Sequence, residues 1–473
     1  MTMARLAAAV ILALVASAAV GPSAMAQTTP PAKAPGAPKD DPAPDTRKDP
    51  ADPMVDARRD YKSFFGGATT DRDQPVGLRL DAALFGAWDE NLLAEFAGPN
   101  TTSVLQVSGA YTNVVGDLRY VRRTSRVELA ATGGLGARYY RNLNKFAAND
   151  FHGGGGATVR LDRFTTVGVN QTLSYAPVYL FGLFADALPP ELGGGATPNS
   201  SFAVNDDRAF TTDTRADAER RLSLRSLVSA RASYRRSHFT VVTPRGTDFV
   251  GVDAGGDYRY RVTENGDIRL GYFYRNAQFV GAASASQATQ PVEHNLHAGF
   301  AFHPTLSEER RTIVTFEGGT SLVNGALASN VTETRRQVRL VGDVAVAHQS
   351  GRTWLTVLAG KRGTGLVEGL AGPVFTDAVS ATVTGFINER TDLYASIGYS
   401  NGEPTLAGAV QTFSTTTAEA RLRVALTTHW ALMAQYVFYQ YDFTKVIDLA
   451  AGLEPRVKRN TLRVGVNVWW PLR

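Results

Sequence analysis

Cysteine is absent from the 473 residues. That excludes disulfide staples, thiolate metal sites, a cysteine nucleophile and a lipid-modified N-terminal cysteine. Histidine is scarce, at 7 residues, which leaves little room for an imidazole metal cluster. Charge of one sign is scarce too. The 49 basic and 44 acidic side chains leave +5, too mild a bias to argue for nucleic acid as a partner. Beyond the N-terminal region no apolar run approaches the roughly 20 residues of a membrane helix, and mean hydropathy is −0.15. A helical membrane protein is excluded. A membrane barrel is not, because alternation of polar and apolar residues holds its mean hydropathy near zero.

Residues 1–26 read as a secretory signal: Arg5 is the positive start, Leu6 to Val20 the apolar stretch, and Ala24-Met25-Ala26 a small-x-small cleavage site before Gln27. Composition then shifts sharply. Residues 27–70 form a Pro-rich periplasmic linker, with Pro30, Pro31, Pro35, Pro38, Pro42, Pro44, Pro50 and Pro53 among Ala, Lys and Asp. Such a stretch has little to bury and is expected to be extended and disordered. It ends in a short aromatic patch, Tyr61 to Gly67.

From residue 71 to 473 one pattern dominates, alternation of apolar and polar residues over ten or more positions. In Val250 to Val262, Val250, Val252, Ala254, Tyr258, Tyr260 and Val262 oppose Asp253, Asp257, Arg259 and Arg261. A helix mixes these sets; a strand separates them, because successive side chains point to opposite faces. The same separation sets Leu78, Leu80, Leu84 and Trp88 against Arg79 and Asp81. It sets Val114 and Leu118 against Asp117 and Arg119, and Leu135 and Tyr139 against Arg138. Farther on, Arg231, Arg235, Arg269, Arg339, Asp343, Glu419, Arg421 and Arg423 fall on the polar side of their segments.

Short polar turns stand near Thr124-Ser125, Arg163-Phe164, Ser223-Leu224, Glu264-Asn265, Glu308-Glu309, Ser350-Gly351, Asn388-Glu389 and Thr427-Thr428. Longer irregular stretches alternate with them, the longest from Ala176 to Asp206. Pairing turns with strands predicts an all-β fold, a transmembrane antiparallel barrel of about 18 strands, with 16 as the alternative. Segments this long exceed the strands of about five or six residues usual in soluble sandwiches. Tyr and Trp near segment ends, among them Trp88, Tyr139, Trp430 and Trp470, suit aromatic girdles at the water boundary. Closure is compulsory in lipid, where an open edge leaves backbone groups unpaired.

The region 71–473 resembles outer-membrane β-barrel proteins of Gram-negative bacteria, porins in particular. The last strand carries the sharpest likeness. Arg463, Gly465, Val468 and Trp470 match that family's C-terminal pattern of a polar residue, a glycine, a hydrophobic residue and an aromatic. The resemblance implies an outer-membrane location, outer-membrane lipid around the wall and the barrel-insertion machinery as a partner that reads this strand. Many members end on the aromatic, whereas here Pro471, Leu472 and Arg473 follow. The opening strand, Gly86 to Asn91, is similar to a stretch in porin-like barrels, some of them tied to exopolysaccharide systems.

A barrel of this width encloses an aqueous channel. The expected function is a porin-like pore for small polar or anionic solutes, with the alternating Arg and Asp set lining the lumen. The alternatives are a barrel exporting a surface polysaccharide with partner proteins, and a non-conducting structural or adhesive barrel. A cross-strand Arg/Asp ladder that only rigidifies the wall is compatible with either. The Ala176–Asp206 stretch, with Phe181 to Gly195 at its centre, is expected to fold inward as a constriction, to cap the mouth, or to extend a strand. No catalytic residue, cofactor or metal ligand is expected. His294 and His297 are three apart, which places them on opposite faces of a strand. The Gly153–Gly156 run reads as a strand start rather than a phosphate loop.

Overall fold

The structure, a computed structural model, describes residues 76–90, 108–141, 146–177, 208–239, 247–281, 291–302, 305–307, 310–326, 334–350, 353–366, 373–404, 412–442 and 456–472. The signal, the linker and the Phe181–Gly195 segment lie outside the described residues.

Every element among the described residues is a strand. They are β1 (Val76–Asp89), β2 (Gly109–Arg123), β3 (Val127–Tyr140), β4 (Phe146–Arg160), β5 (Thr165–Pro177), β6 (Arg208–Arg221), β7 (Ser226–Phe239), β8 (Thr247–Thr263), β9 (Gly266–Gly281) and β10 (Val292–Phe302). Then come β11 (Thr305–Ser307), β12 (Arg310–Ala326), β13 (Thr334–Ser350), β14 (Trp354–Leu366), β15 (Pro373–Asn388), β16 (Thr391–Pro404), β17 (Phe413–Ala425), β18 (Trp430–Asp442) and β19 (Arg456–Pro471). The three-residue β11 pairs with β12 beside a turn, and β10 pairs with β12 directly. Removing β11 from the 19-stranded sheet leaves a wall of eighteen strands. Each pairs antiparallel with its neighbours in sequence, and β1 pairs with both β2 and β19, which closes the cylinder. The even count puts the start of β1 and the end of β19 at one rim, the rim of the short turns.

Alternation sorts the side chains as a barrel requires. On β1, Phe85 and Asp89 are buried at 1% and 0% exposure, whereas Leu84 and Trp88 stand 54% and 48% exposed. Directly opposed residues of neighbouring strands share a face, so this phase passes around the wall. Leu118, Leu135, Ile268, Leu270, Leu296, Phe300, Leu358, Ile397 and Val464 all lie on the outer side and are exposed. Such a continuous apolar belt is untenable in water and natural in hydrocarbon. Trp430 and Trp470 mark the short-turn rim, Trp88 and Tyr139 the opposite one. The closed wall and its apolar outer belt are those of a bilayer-spanning barrel.

The short turns are built by small polar side chains that capture backbone N–H groups. Val127 N–H donates to Thr124 Oγ1 (3.0 Å), Phe164 N–H to Asp162 Oδ1 (2.6 Å), Ser226 N–H to Ser223 Oγ (3.0 Å) and Arg390 N–H to Asn388 Oδ1 (2.9 Å). In β19 the Arg463 side chain points inward and is fully buried, while Trp470 points outward. Gly465 lies against β1: a Cβ there would come within 2.3 Å of Phe85 Cβ, so closure of the barrel needs glycine at this rung. One expectation is corrected. Gly153–Gly156 lies in the middle of β4 rather than at a strand start, paired on both sides with β3 and β5.

Candidate functional site

The lumen face is the candidate site. Arg79 and Asp81, two apart on β1, form an ion pair at 2.6 Å. Asp117 is held by His152 Nε2 at 2.6 Å. Arg119 lies opposite Arg79 across β1 and β2. Arg138 is buried, with its guanidinium 5.6 Å from the Tyr111 ring centroid. Arg231 lies over Phe273, and Arg235 is opposed to Asp213. Asp253 accepts from Arg275 Nε (2.9 Å) and Ser233 Oγ (3.0 Å). Arg259 is opposed to Arg269, and Arg261 stands 3.5 Å from Asp267. Arg269 reaches Glu317 at 3.4 Å. Asp343 lies between Glu317 and Lys361 in register. Arg339 pairs with Glu403, and Arg423 with Asp392. Glu419 accepts from Gln435 Nε2 (2.6 Å), and Arg421 lies over the Tyr394 ring.

Two bridges join residues that the alternation alone leaves apart. Asp117 on β2 and His152 on β4 meet across Gly134 of β3, and Asp257 on β8 and His297 on β10 meet across Gly271 of β9 (2.8 Å). A Cβ on Gly134 would lie 2.2 Å from Asp117 Oδ1 and 2.3 Å from His152 Nε2; on Gly271 it would lie 2.2 Å from Asp257 Oδ1 and 2.1 Å from His297 Nε2. Glycine on the middle strand thus opens the passage through which each pair bonds. His297 also stands 3.3 Å from Glu317. His294 faces outward and meets Tyr272 Oη at 2.7 Å. Among the described residues no group of three or more His, Asp or Glu can hold a metal.

The wall from β6 to β15 borders a chamber of about 660 Å³, into which Asp217, Arg231, Arg275, Glu293, His297 and Lys361 all face. Residues 361–364 of β14 line it. That strand pairs with β13 as far as Gly342↔Arg362, and then continues with β15 alone. Its end turns into the lumen toward β9 and β10: Arg275 Nη1 donates to the Thr364 carbonyl at 3.2 Å, and Thr364 Oγ1 donates to Glu293. Glu293 also accepts from Ser321 Oγ (2.6 Å) and pairs with Arg275 (3.3 Å). The β14–β15 hairpin therefore narrows the lumen. The opposite wall, β1–β3 with β18 and β19, is packed. Arg138, Arg459, Arg463, Tyr140, Tyr439 and Tyr441 are all fully buried there, and Arg459 Nε donates to Asp89 at 2.5 Å.

Sequence reasoning did not single out Asp89, His152, Glu293, His297 or Arg459 as lumen groups. Inward phase was readable for each; the partner across two strands was not, because register is unwritten in any single segment.

No protein-family model and no curated protein matches the sequence. By structure the chain is similar to OpdL of Pseudomonas aeruginosa, with TM-score 0.45, 10% identity, and coverage of 84% of this chain and 99% of that one. OpdQ of the same organism gives 0.45, 10%, 85% and 100%, and OccK2, solved with glucuronate, gives 0.44, 10%, 84% and 98%.

Proposed function

We propose that the barrel is a passive channel for small polar solutes that favours anions. One observation carries the anion preference. Arg119 faces Arg79 and Arg259 faces Arg269 in direct register on the lumen side. Like charges directly opposed destabilise a sheet, and lumen charge is where a pore spends such a cost on selectivity. Arg79 and Arg269 are offset by Asp81 and Glu317. Arg119 and Arg259 have no carboxylate within ion-pair distance among the described residues, so their charge faces the water of the short-turn half. The carboxylates around the chamber are mostly engaged, Asp253 and Glu293 by Arg275, Asp213 by Arg215 and Glu317 by Arg269.

Reconstitution in a planar bilayer under a KCl gradient tests this. The expected result is discrete conductance steps and a reversal potential of the sign for chloride. Arg119→Gln with Arg259→Gln is expected to move that potential toward zero with little change in conductance. Absence of conductance rejects the channel; a cation-selective wild type rejects the anion preference.

A further inference from the structure

We infer that the seam between β13 and β14 is a lateral portal through which an anionic amphiphile of the bilayer reaches the lumen. The register between these strands ends at Gly342↔Arg362 and is the shortest between neighbouring long strands. Above that rung β13 continues to Thr334 with β12 as its strand neighbour, Ala326↔Thr334 being the last pair. Among the described residues, 334–341 thus present an edge on the side where β14 has left. The departure is built into β14: Gly360, Gly363 and Gly365 flank Lys361, Arg362 and Thr364, and glycine in a strand permits the bend. The bent end is anchored on β9 and β10, four and three strands away around the wall, by Arg275 and Glu293 through Thr364.

A bare edge facing hydrocarbon is costly, since each unpaired N–H or C=O needs a polar partner. This edge borders the wet chamber on one side and lipid on the other. Its outer flank carries Val338 and Leu340, 68% and 71% exposed, the two most exposed apolar side chains on any described strand. Its inner flank carries two cations beside carboxylates. Lys361 stands at the vertex where the strands part, opposite Asp343. Arg339 spans the slit from within, ion-paired to Glu403 of β16 and 5.0 Å from the Phe375 ring of β15. A greasy outer lip and a guanidinium latch inside fit one chemistry: an acyl tail lying on Val338 and Leu340, with a negatively charged head drawn to Arg339 and Lys361. Displacement of Glu403 from Arg339 by that head is charge-conserving and opens the latch.

The absence of cysteine makes the test clean. Leu340→Cys with Thr364→Cys would be register partners if the seam were zipped; in a parted seam their Cα atoms lie beyond the roughly 7 Å that a disulfide tolerates. Mild oxidation is expected to leave this pair unlinked while Val344→Cys with Gly360→Cys, in the zipped part, closes readily. Phosphatidylglycerol with a diazirine on its acyl chain, in vesicles holding the wild-type barrel, is expected to label Phe375 or Lys361 besides the outer lip. Glu403→Ala is expected to raise Phe375 labelling severalfold, because it opens the latch and leaves Arg339 free for the head. Oxidation of both cysteine pairs at equal rates overturns the portal, as does labelling confined to outward residues such as Leu358. Equal inner labelling by the phosphatidylcholine analogue overturns the preference for a negative head.

Discussion

The two walls of this lumen share one sequence rule and differ in environment. On β18, β19 and the half of β1–β3 away from the short turns the inward side chains are packed away from water, with Arg459 and Asp89 at 1% and 0% exposure. On β6 and β7 the inward pairs are wet: Arg215, bonded to Asp213 at 2.9 Å, is 69% exposed. The packed wall is also where the first and last strands meet. Thr461 Oγ1 and Arg459 Nε of β19 both donate to Asp89 of β1, and Gly465 brings the two backbones close. Charge therefore serves opposite ends on the two sides. It fastens the closure on one and faces solute on the other.

The largest effect that separates the walls is the loss of one carboxylate from each. Asp89→Ala leaves the Arg459 guanidinium buried without its acid, and removal of one partner of a buried pair costs about 3–5 kcal/mol. Asp213→Ala removes the acid of a solvated pair, and such pairs contribute up to about 1 kcal/mol. Urea titration of the refolded barrel in phospholipid vesicles reads both. Equal shifts of the two midpoints would mean that the packed wall is no more than another wet ladder.

A smaller effect compares one motif in two settings. Gly271→Ala and Gly134→Ala each place a methyl group in the passage between an Asp and a His. His297 is 7% exposed and His152 38% exposed, so the first substitution breaks a buried bridge and the second a half-solvated one. The expected losses are about 2–3 kcal/mol for Gly271→Ala and about 1 kcal/mol for Gly134→Ala, following the cost of a buried polar group left unmade. The same urea titration orders them. The reverse order would assign the cost to backbone strain rather than to the lost bridge.

How much of this was readable beforehand follows from what a strand encodes locally. Side, inward or outward, is a period of two, and it put Arg79, Asp117, Arg259 and Arg423 on the polar face without any neighbour. Turn chemistry is also local, so Thr124, Ser223 and Asn388 announced the short rim. Register is not local. Nothing between Asp257 and His297 states that they converge over Gly271, because that depends on the stagger of three strands. The inward bend of β14 is still less legible. Its glycines permit it, but the anchor, Thr364 on Glu293, joins strands three positions apart around the wall. The burial of Arg138 and Arg463 depends on the filling of the interior, which alternation does not report.

The smallest effect lies outside both walls and serves as their common reference. Asp162 in the β4–β5 turn is fully solvent-facing, and its carboxyl is held below the usual range, chiefly by the Phe164 N–H, with help from Thr165 and the nearby Arg220. Phe164 N–H donates at 2.6 Å and Thr165 N–H at 2.9 Å, both to Oδ1. A folded value below the unfolded one favours the ionised form in the native state. Its stabilisation is therefore complete above the ordinary aspartate pKa of about 3.9 and is lost as pH falls through the depressed folded value. Asp162→Ala is expected to lower the urea midpoint slightly at neutral pH, and the gap from wild type is expected to close on acidification to about pH 2. A gap that persists unchanged in acid would show that the turn relies on the shape of the Asp side chain and not on its charge.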